Sequence, residues 1–220
     1  MTRVGVLGGT GPYGMGLALR LVIGGEEVII GSRSLERAAT AVRRVQEQIL
    51  PRRQRGQVRG TDNVTAARDS DVVVLSVPFA ALATLVGPLG AHLDGKIVID
   101  VVNPITVEHG LFRIAPVAGG SASAWLQTQV PGARVVGSFK NISSRALWRI
   151  DRPLHGDVLT CSDDPAATRY VSTLVEHMPL LRAVDAGPLA NVAHLESLTA
   201  LLLNLNRRYQ AQTAIQILGL

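Results

Sequence analysis

Cysteine is nearly absent. Cys161 is the one example in 220 residues, so no disulfide can form within the chain and the thiol suits a reducing cytoplasm. Long apolar runs are missing too. No stretch approaches the roughly eighteen uninterrupted apolar residues of a membrane helix, and the longest helical candidate is cut by Asn204, Asn206, Arg207 and Arg208. No membrane association is expected. The N-terminal apolar run lacks a small-residue cleavage site, which argues against a secretory signal. The histidines at positions 92, 109, 155, 177 and 194 have no metal-ligand spacing with one another or with Cys161, so no metal is expected. There is no G-x-S-x-G elbow, and Asp163-Asp164 before Pro165 read as a helix start, not as a paired acid and base. Cys161 lies in a predicted strand as a small buried hydrophobe. No catalytic side chain is assigned.

Positive charge is not scarce. Twenty-two Lys and Arg face 17 Asp and Glu, a formal net charge of +5. Arg43, Arg44, Arg52, Arg53, Arg55 and Arg59 fall on a helix end and the polar connection after it, with no interleaved aromatics and no nucleic-acid module. A solvated basic face or a field that attracts an anionic cofactor fits them better than nucleic acid, which is not expected as a partner.

What is present is organised around the first residues. The apolar run Val4 to Leu7 passes into Gly8-Gly9-Thr10-Gly11-Pro12-Tyr13-Gly14 and then into a helix-compatible stretch from Met15 to Ile23. Gly9, Gly11 and Gly14 fill a G-x-G-x-x-G pattern in the strand–turn–helix context that brings backbone N–H groups to a pyrophosphate. The rival phosphate loop would need a lysine after Gly14, where Met15 stands, so a nucleotide hydrolase is disfavoured.

Glu27 to Gly31 reads as a second strand, and Ser34 caps a helix from Leu35 to about Leu50. A third strand near Gln57 to Gly60 and a short helix over Val64 to Arg68 follow. Val72 to Val77, closed by Pro78, and Lys96 to Val102 are continuous apolar strands suited to a parallel sheet buried on both faces. Between them lies a helix over Ala80 to Leu85. Ile105 to Gly120 reads as a loop over the carboxyl edge of the sheet, Ala122 to Gln129 as a helix and Arg134 to Phe139 as a sixth strand. Strand Asp157 to Cys161, helix Pro165 to His177, strand Leu181 to Asp185 and a helix from about Leu189 to Arg208 complete the chain. The fold class is α/β, a doubly wound parallel sheet over residues 1–149 with a small C-terminal α+β domain over 150–220. At the end of the second strand, Gly31-Ser32-Arg33-Ser34 offers no acid for a ribose 2′-hydroxyl, while Arg33 and Arg37 offer donors to a 2′-phosphate, so NADP is expected in preference to NAD.

Val6-Leu-Gly-Gly-Thr-Gly, Ile30-Gly-Ser-Arg, the Val77-Pro78 turn, and Asp185-Ala-Gly-Pro-Leu-Ala-Asn191 followed by Leu195-Glu-Ser-Leu-Thr199 resemble the NADPH-dependent reductases of coenzyme F420, a deazaflavin. The resemblance runs nearly end to end. It implies a Rossmann domain with a small C-terminal domain and direct hydride exchange between NADP(H) and F420, a step that needs proximity and orientation more than a side-chain catalyst. It also favours a homodimer through the long last helix over packing of that helix within one chain. By position, it places phosphate and ribose contacts on Thr10, Gly11, Pro12, Tyr13, Ser32, Arg33 and Arg37. The nicotinamide falls to Val77, Ala81, Val102 and Ser144, and the deazaflavin to Lys140 and Ile142. Lys140-Asn141-Ile142-Ser143 departs from the family's usual histidine followed by Thr-Ile-Pro. That departure leaves a flavin or small imine as alternative acceptors, or a non-catalytic NADP sensor. With a sixth strand ending at Phe139, Lys140 is expected to present its ammonium at the open carboxyl edge.

Overall fold

The computed structural model describes residues 2–50, 56–152 and 154–220. Arg52, Arg53 and Arg55 lie outside the described residues. The first half alternates strand and helix: β1 (Arg3–Leu7), α1 (Pro12–Gly24), β2 (Glu27–Ser32), α2 (Leu35–Ile49), β3 (Gln57–Asp62), α3 (Asn63–Asp69), β4 (Val72–Leu75), α4 (Phe79–Val86), α5 (Gly90–Leu93) and β5 (Ile97–Asp100). A hairpin of β6 (Ile105–Glu108) and β7 (Leu111–Ile114) follows, then α6 (Ala122–Gln129), β8 (Arg134–Gly137) and α7 (Ser144–Trp148). The chain closes with β9 (Gly156–Thr160), α8 (Pro165–Glu176), β10 (Leu181–Asp185) and α9 (Val192–Tyr209).

Six strands form one parallel sheet in the order β3-β2-β1-β4-β5-β8. The order reverses between β1 and β4, which makes the carboxyl edge there the switch point of a Rossmann-type, doubly wound sheet. Successive residues of a strand point to opposite faces, and the packing follows. Val72 and Val74 join one apolar cluster with α1 and α2, and Val73 and Leu75 join another with α3 and α4. Such central strands are apolar throughout because both faces are covered. Ser34 caps α2 by accepting from the Arg37 amide at 3.3 Å, and Ala38, Ala41, Val45 and Ile49 carry that helix's buried stripe.

The segment after Ile150 contains β9, α8, β10 and α9, and it packs into both apolar clusters through residues such as Val158, Val171, Val192 and Leu195. Its two strands pair parallel to each other. Gly137 and Cys161 join them to the main sheet by reciprocal N–H···O bonds of 2.9 Å.

Two local differences from the sequence pattern bear on the site. Residues expected as loop fold as the β6–β7 hairpin, turned by His109 and Gly110 at φ 48° and 77°, the positive values a tight two-residue turn requires. The hairpin is held from α9, where the Asn204 amide accepts from the Phe112 N–H at 2.9 Å and donates to the Phe112 carbonyl at 3.0 Å. Secondly, β8 stops at Gly137, and Phe139 takes φ 56°, which turns the chain sharply before Lys140.

Candidate functional site

The glycine loop joins β1 to α1 at the switch point. Its start is fixed by the Gly8 amide donating to Asn63 Oδ1 at 3.2 Å and the Gly9 amide donating to the Gly31 carbonyl at 3.2 Å. A Cβ at Gly9 would lie 2.6 Å from the Val6 carbonyl oxygen, and one at Gly14 2.6 Å from the Cα of Gly9. Packing therefore demands glycine at both. Gly11 is different: its φ of −78° suits any residue, and a Cβ there meets nothing nearer than 3.9 Å. The open space above Gly11 is a cradle that a side chain would fill, and it faces a helix whose N-cap offers no side-chain acceptor and whose first residue is Pro12. N–H groups at such a terminus favour an anion. The arrangement fits a pyrophosphate.

Thr10, Gly11, Ser32, Arg33 and Arg37 line one cavity of about 600 Å³. Arg33 and Arg37 are exposed at its rim, and neither guanidinium has a carboxylate partner among the described residues. Val77 and Ala81 border the same cavity. It also contains two residues that the sequence pattern did not single out. Asn63 supports Gly8, and Asp62 caps α3 by accepting from the Thr65 amide at 2.9 Å, a bond that holds its carboxyl below the usual range. The signal for both was a strand running without a gap into a helix, where a capping acid is favoured.

Tyr13, Ile142 and Ser144 gather on the other side of the loop, around a smaller cavity of about 220 Å³ shared with Asn103, Thr199 and Leu202. The Tyr13 hydroxyl donates to the Phe139 carbonyl, and burial pushes the phenol well above its ordinary pKa, so it stays a donor. Pro12 and Ser144 also meet across an adjoining cavity of about 520 Å³ with Met15, Arg145 and Trp148. Helix α7 is set there by α1. A Cβ on Gly16 would come within 2.9 Å of Leu147 Cβ, and Arg20 donates to the carbonyls of Ala146, Leu147 and Arg149 at 2.8 to 3.0 Å. A five-residue helix shows no period in sequence, so α7 is visible only through these contacts.

Of the residues assigned to the nicotinamide, Val77 and Ala81 thus share the cavity of Arg33, whereas Ser144 lies with Tyr13. Val102 is buried just past β5. Lys140 requires a correction. Its side chain does not stand at the open edge but is fully buried, with Nζ 2.8 Å from Asp100 Oδ2 and 3.1 Å from Glu196 Oε1. The turn at Phe139 points it inward, and burial of an ammonium is tolerable there because both acidic side chains accept from it. Cys161 is buried as expected, its thiol pushed up to about 11 by desolvation. Among the described residues no group of histidine, cysteine and carboxylate side chains could hold a metal ion, and no helix is long and apolar enough to cross a membrane.

Residues 3–104 match the family model described as NADP oxidoreductase, coenzyme F420-dependent. An F420-dependent NADP reductase of Methanothermobacter marburgensis is 39% identical over 218 residues, covering 96% of each chain. One from Methanocaldococcus jannaschii is 34% identical over 221 residues, covering 99% of each. A crystal structure of a protein from Arthrobacter sp. FB24 superposes with a TM-score of 0.81 over 99% of both chains at 23% identity, a likeness of fold. With relatives of this identity matched over 96 to 99% of its length, the chain belongs to the family of F420-dependent NADP reductases.

Proposed function

We propose that the protein transfers a hydride between NADP(H) and the deazaflavin coenzyme F420, in keeping with relatives named F420-dependent NADP reductases. The observation that carries the NADP half is the open cradle at Gly11 beside two arginines that have no carboxylate partner among the described residues, all on one cavity. Thr10, Gly11 and Pro12 would hold the pyrophosphate, with Ser32, Arg33 and Arg37 on the 2′-phosphorylated ribose. Tyr13, with its hydroxyl already committed to Phe139, would contribute its ring. When bound, the nicotinamide would give or accept the hydride. The protein's part is to orient the two rings and exclude water between them. Ile142 and Ser144, which border the smaller cavity with Tyr13, are the acceptor-side candidates.

A homodimer and a cytoplasmic location accompany this reading. Leu201 on α9 is 54% exposed and Val107 on the hairpin packed against α9 is 60% exposed, an apolar surface that a second copy would cover. The lone buried thiol suits a reducing compartment. The test is to mix the protein with NADPH and F420, a flavin, or no acceptor, and follow nicotinamide oxidation. Rapid oxidation with F420 alone is expected. Oxidation with flavin and none with F420 would restrict the assignment to the NADP half.

A further inference from the structure

Asp100 ends β5, Lys140 follows β8 and Glu196 lies on α9, yet their side chains meet in one place with none of them exposed. The two acids are not equivalent. Asp100 accepts from the Val102 amide at 2.9 Å through Oδ1, and from Ser123 Oγ at 2.6 Å and Lys140 Nζ at 2.8 Å through Oδ2. Both of its oxygens are served, as an ionised carboxylate requires. Glu196 Oε1 accepts from the Ala122 amide at 3.0 Å and from Lys140 at 3.1 Å, whereas Oε2 is buried without a partner among the described residues. An ionised oxygen in that position would be costly; a protonated one leaves the cluster with one positive and one negative charge. Burial also raises the pKa of the Glu196 carboxyl.

The third bond of Lys140 reaches the chemistry. Its ammonium donates to the Val102 carbonyl, so the backbone on either side of the Val102 Cα is gripped, by Asp100 on the N–H and by Lys140 on the C=O. The grip is reciprocal, because Asn103 Nδ2 and Thr199 Oγ1 both donate to the Lys140 carbonyl at 3.0 Å. Residues 101–103 lie past the carboxyl end of a central strand, where ligands bind in such sheets, and Asn103, Ile142 and Thr199 line the small cavity beside Tyr13.

We propose that Lys140 is a positioning residue for hydride transfer: with Asp100 as its charged partner and Glu196 holding a proton, its buried ammonium fixes the backbone at Val102 on which the reacting rings are aligned. This rests on the function proposed above. The charge arrangement itself does not, so the two can fail separately. The titratable groups around Glu196 are Lys140 and Asp100, with Cys161 near Lys140.

The experiment uses the full chain and two readouts, thermal unfolding as a function of pH and steady-state kinetics with NADPH and F420. A folded-state pKa raised above the unfolded value stabilises at low pH, and that contribution is lost as pH rises through the folded value. Glu196→Gln, which mimics the protonated acid, should therefore melt at or above the parent at neutral pH and lose part of the decline that the parent shows as pH rises above the ordinary carboxyl pKa. Asp100→Asn should melt much earlier, since it leaves the ammonium without its charged partner. If Glu196→Gln is as unstable as Asp100→Asn, the charge assignment is overturned. This arm needs no activity.

For positioning, the double variant Lys140→Met with Asp100→Asn removes both charges and leaves no unpaired one, so it should fold. Its kcat should fall about tenfold or more, the scale of a slight misalignment of reacting groups, with the KM for NADPH changed less than about threefold. Lys140→Arg, which keeps a cation, should recover part of the loss. A folded double variant with unchanged kcat overturns the positioning role. An unmodified protein that turns over no F420 defeats the functional reading, and the melting contrast then still decides the charges.

Discussion

A methyl group added at Gly14 would sit 2.6 Å from the Cα of Gly9, whereas one added at Gly11 would meet nothing nearer than 3.9 Å. The first change overpacks the protein itself, and the second would intrude only on the ligand proposed for the cradle. Gly14→Ala should therefore lower stability by about 1–3 kcal/mol, the usual range for overpacking. Gly11→Ala should melt as the unmodified protein does and bind NADP more weakly. Thermal unfolding and calorimetric titration of the two variants separate these effects, and equal loss of stability in both would remove the argument for the cradle. Arg33 is tested at the same scale. It is exposed at the rim of the cavity with Ser32 behind it and no acid on its own strand end. Arg33→Asp should cost about 1.5–3 kcal/mol of NADP binding, roughly ten- to a hundredfold, while sparing or improving NAD. Comparable NAD and NADP affinities in the unmodified protein would defeat this.

Elements whose residues carry their own period were legible in the sequence: β1, α1, β2, α2, β4, β5 and the capped α8 stand where alternation, continuous apolar runs and capping residues place them. The strand–turn–helix context of the glycine loop was legible in the same way, because its pattern is local, as was the place of Arg33 at the end of β2. What was not legible depends on partners far along the chain. The β6–β7 hairpin is gripped by Asn204, α7 is held by Arg20, and Lys140 is drawn inward by Asp100 and Glu196, contacts no local pattern reports. The C-terminal segment belongs with these. After Gln210, left-handed at φ 48°, it runs without helix along β9. Asp157 donates its N–H to the Ile215 carbonyl at 2.9 Å and accepts from the Ile217 amide at 2.6 Å, while Arg182 binds the Ile217 carbonyl at 2.6 Å. Arg182, hydrogen-bonded to the Asp157 carboxylate, holds its pKa below the usual range. A depressed folded-state value means that this contribution is present above the ordinary carboxyl pKa and is lost as pH falls through the folded one. Acid should thus release the tail, and Asp157→Asn should release it at neutral pH. Hydrogen exchange at Ile217 is the measurement: faster exchange in the variant is expected, and unchanged protection would show that the tail is held elsewhere.

For the whole molecule, α9 is the element through which the proposed assembly and the chemistry would meet. Its inner face carries Glu196 in the buried cluster and Leu202 on the small cavity beside Tyr13. Its outer face exposes Leu201, and the hairpin beside it exposes Val107 and Leu111, 48 to 60% accessible. In a homodimer joined through this surface, α9 would be sandwiched between its own sheet and the second copy. The large cavity with Thr10, Arg33 and Arg37 draws no residue from α9 or the hairpin. Separating the subunits should therefore affect the two halves of the reaction unequally. Leu201→Glu places a charge in the apolar surface and should yield a monomer by light scattering, because a charge buried there without a partner is strongly unfavourable. The monomer should keep NADP affinity close to that of the parent, while turnover with F420 falls as α9 loses its outer support. If the unmodified protein already has a monomer's mass at working concentration, the dimer is wrong; if Leu201→Glu stays dimeric, the subunits meet through another surface.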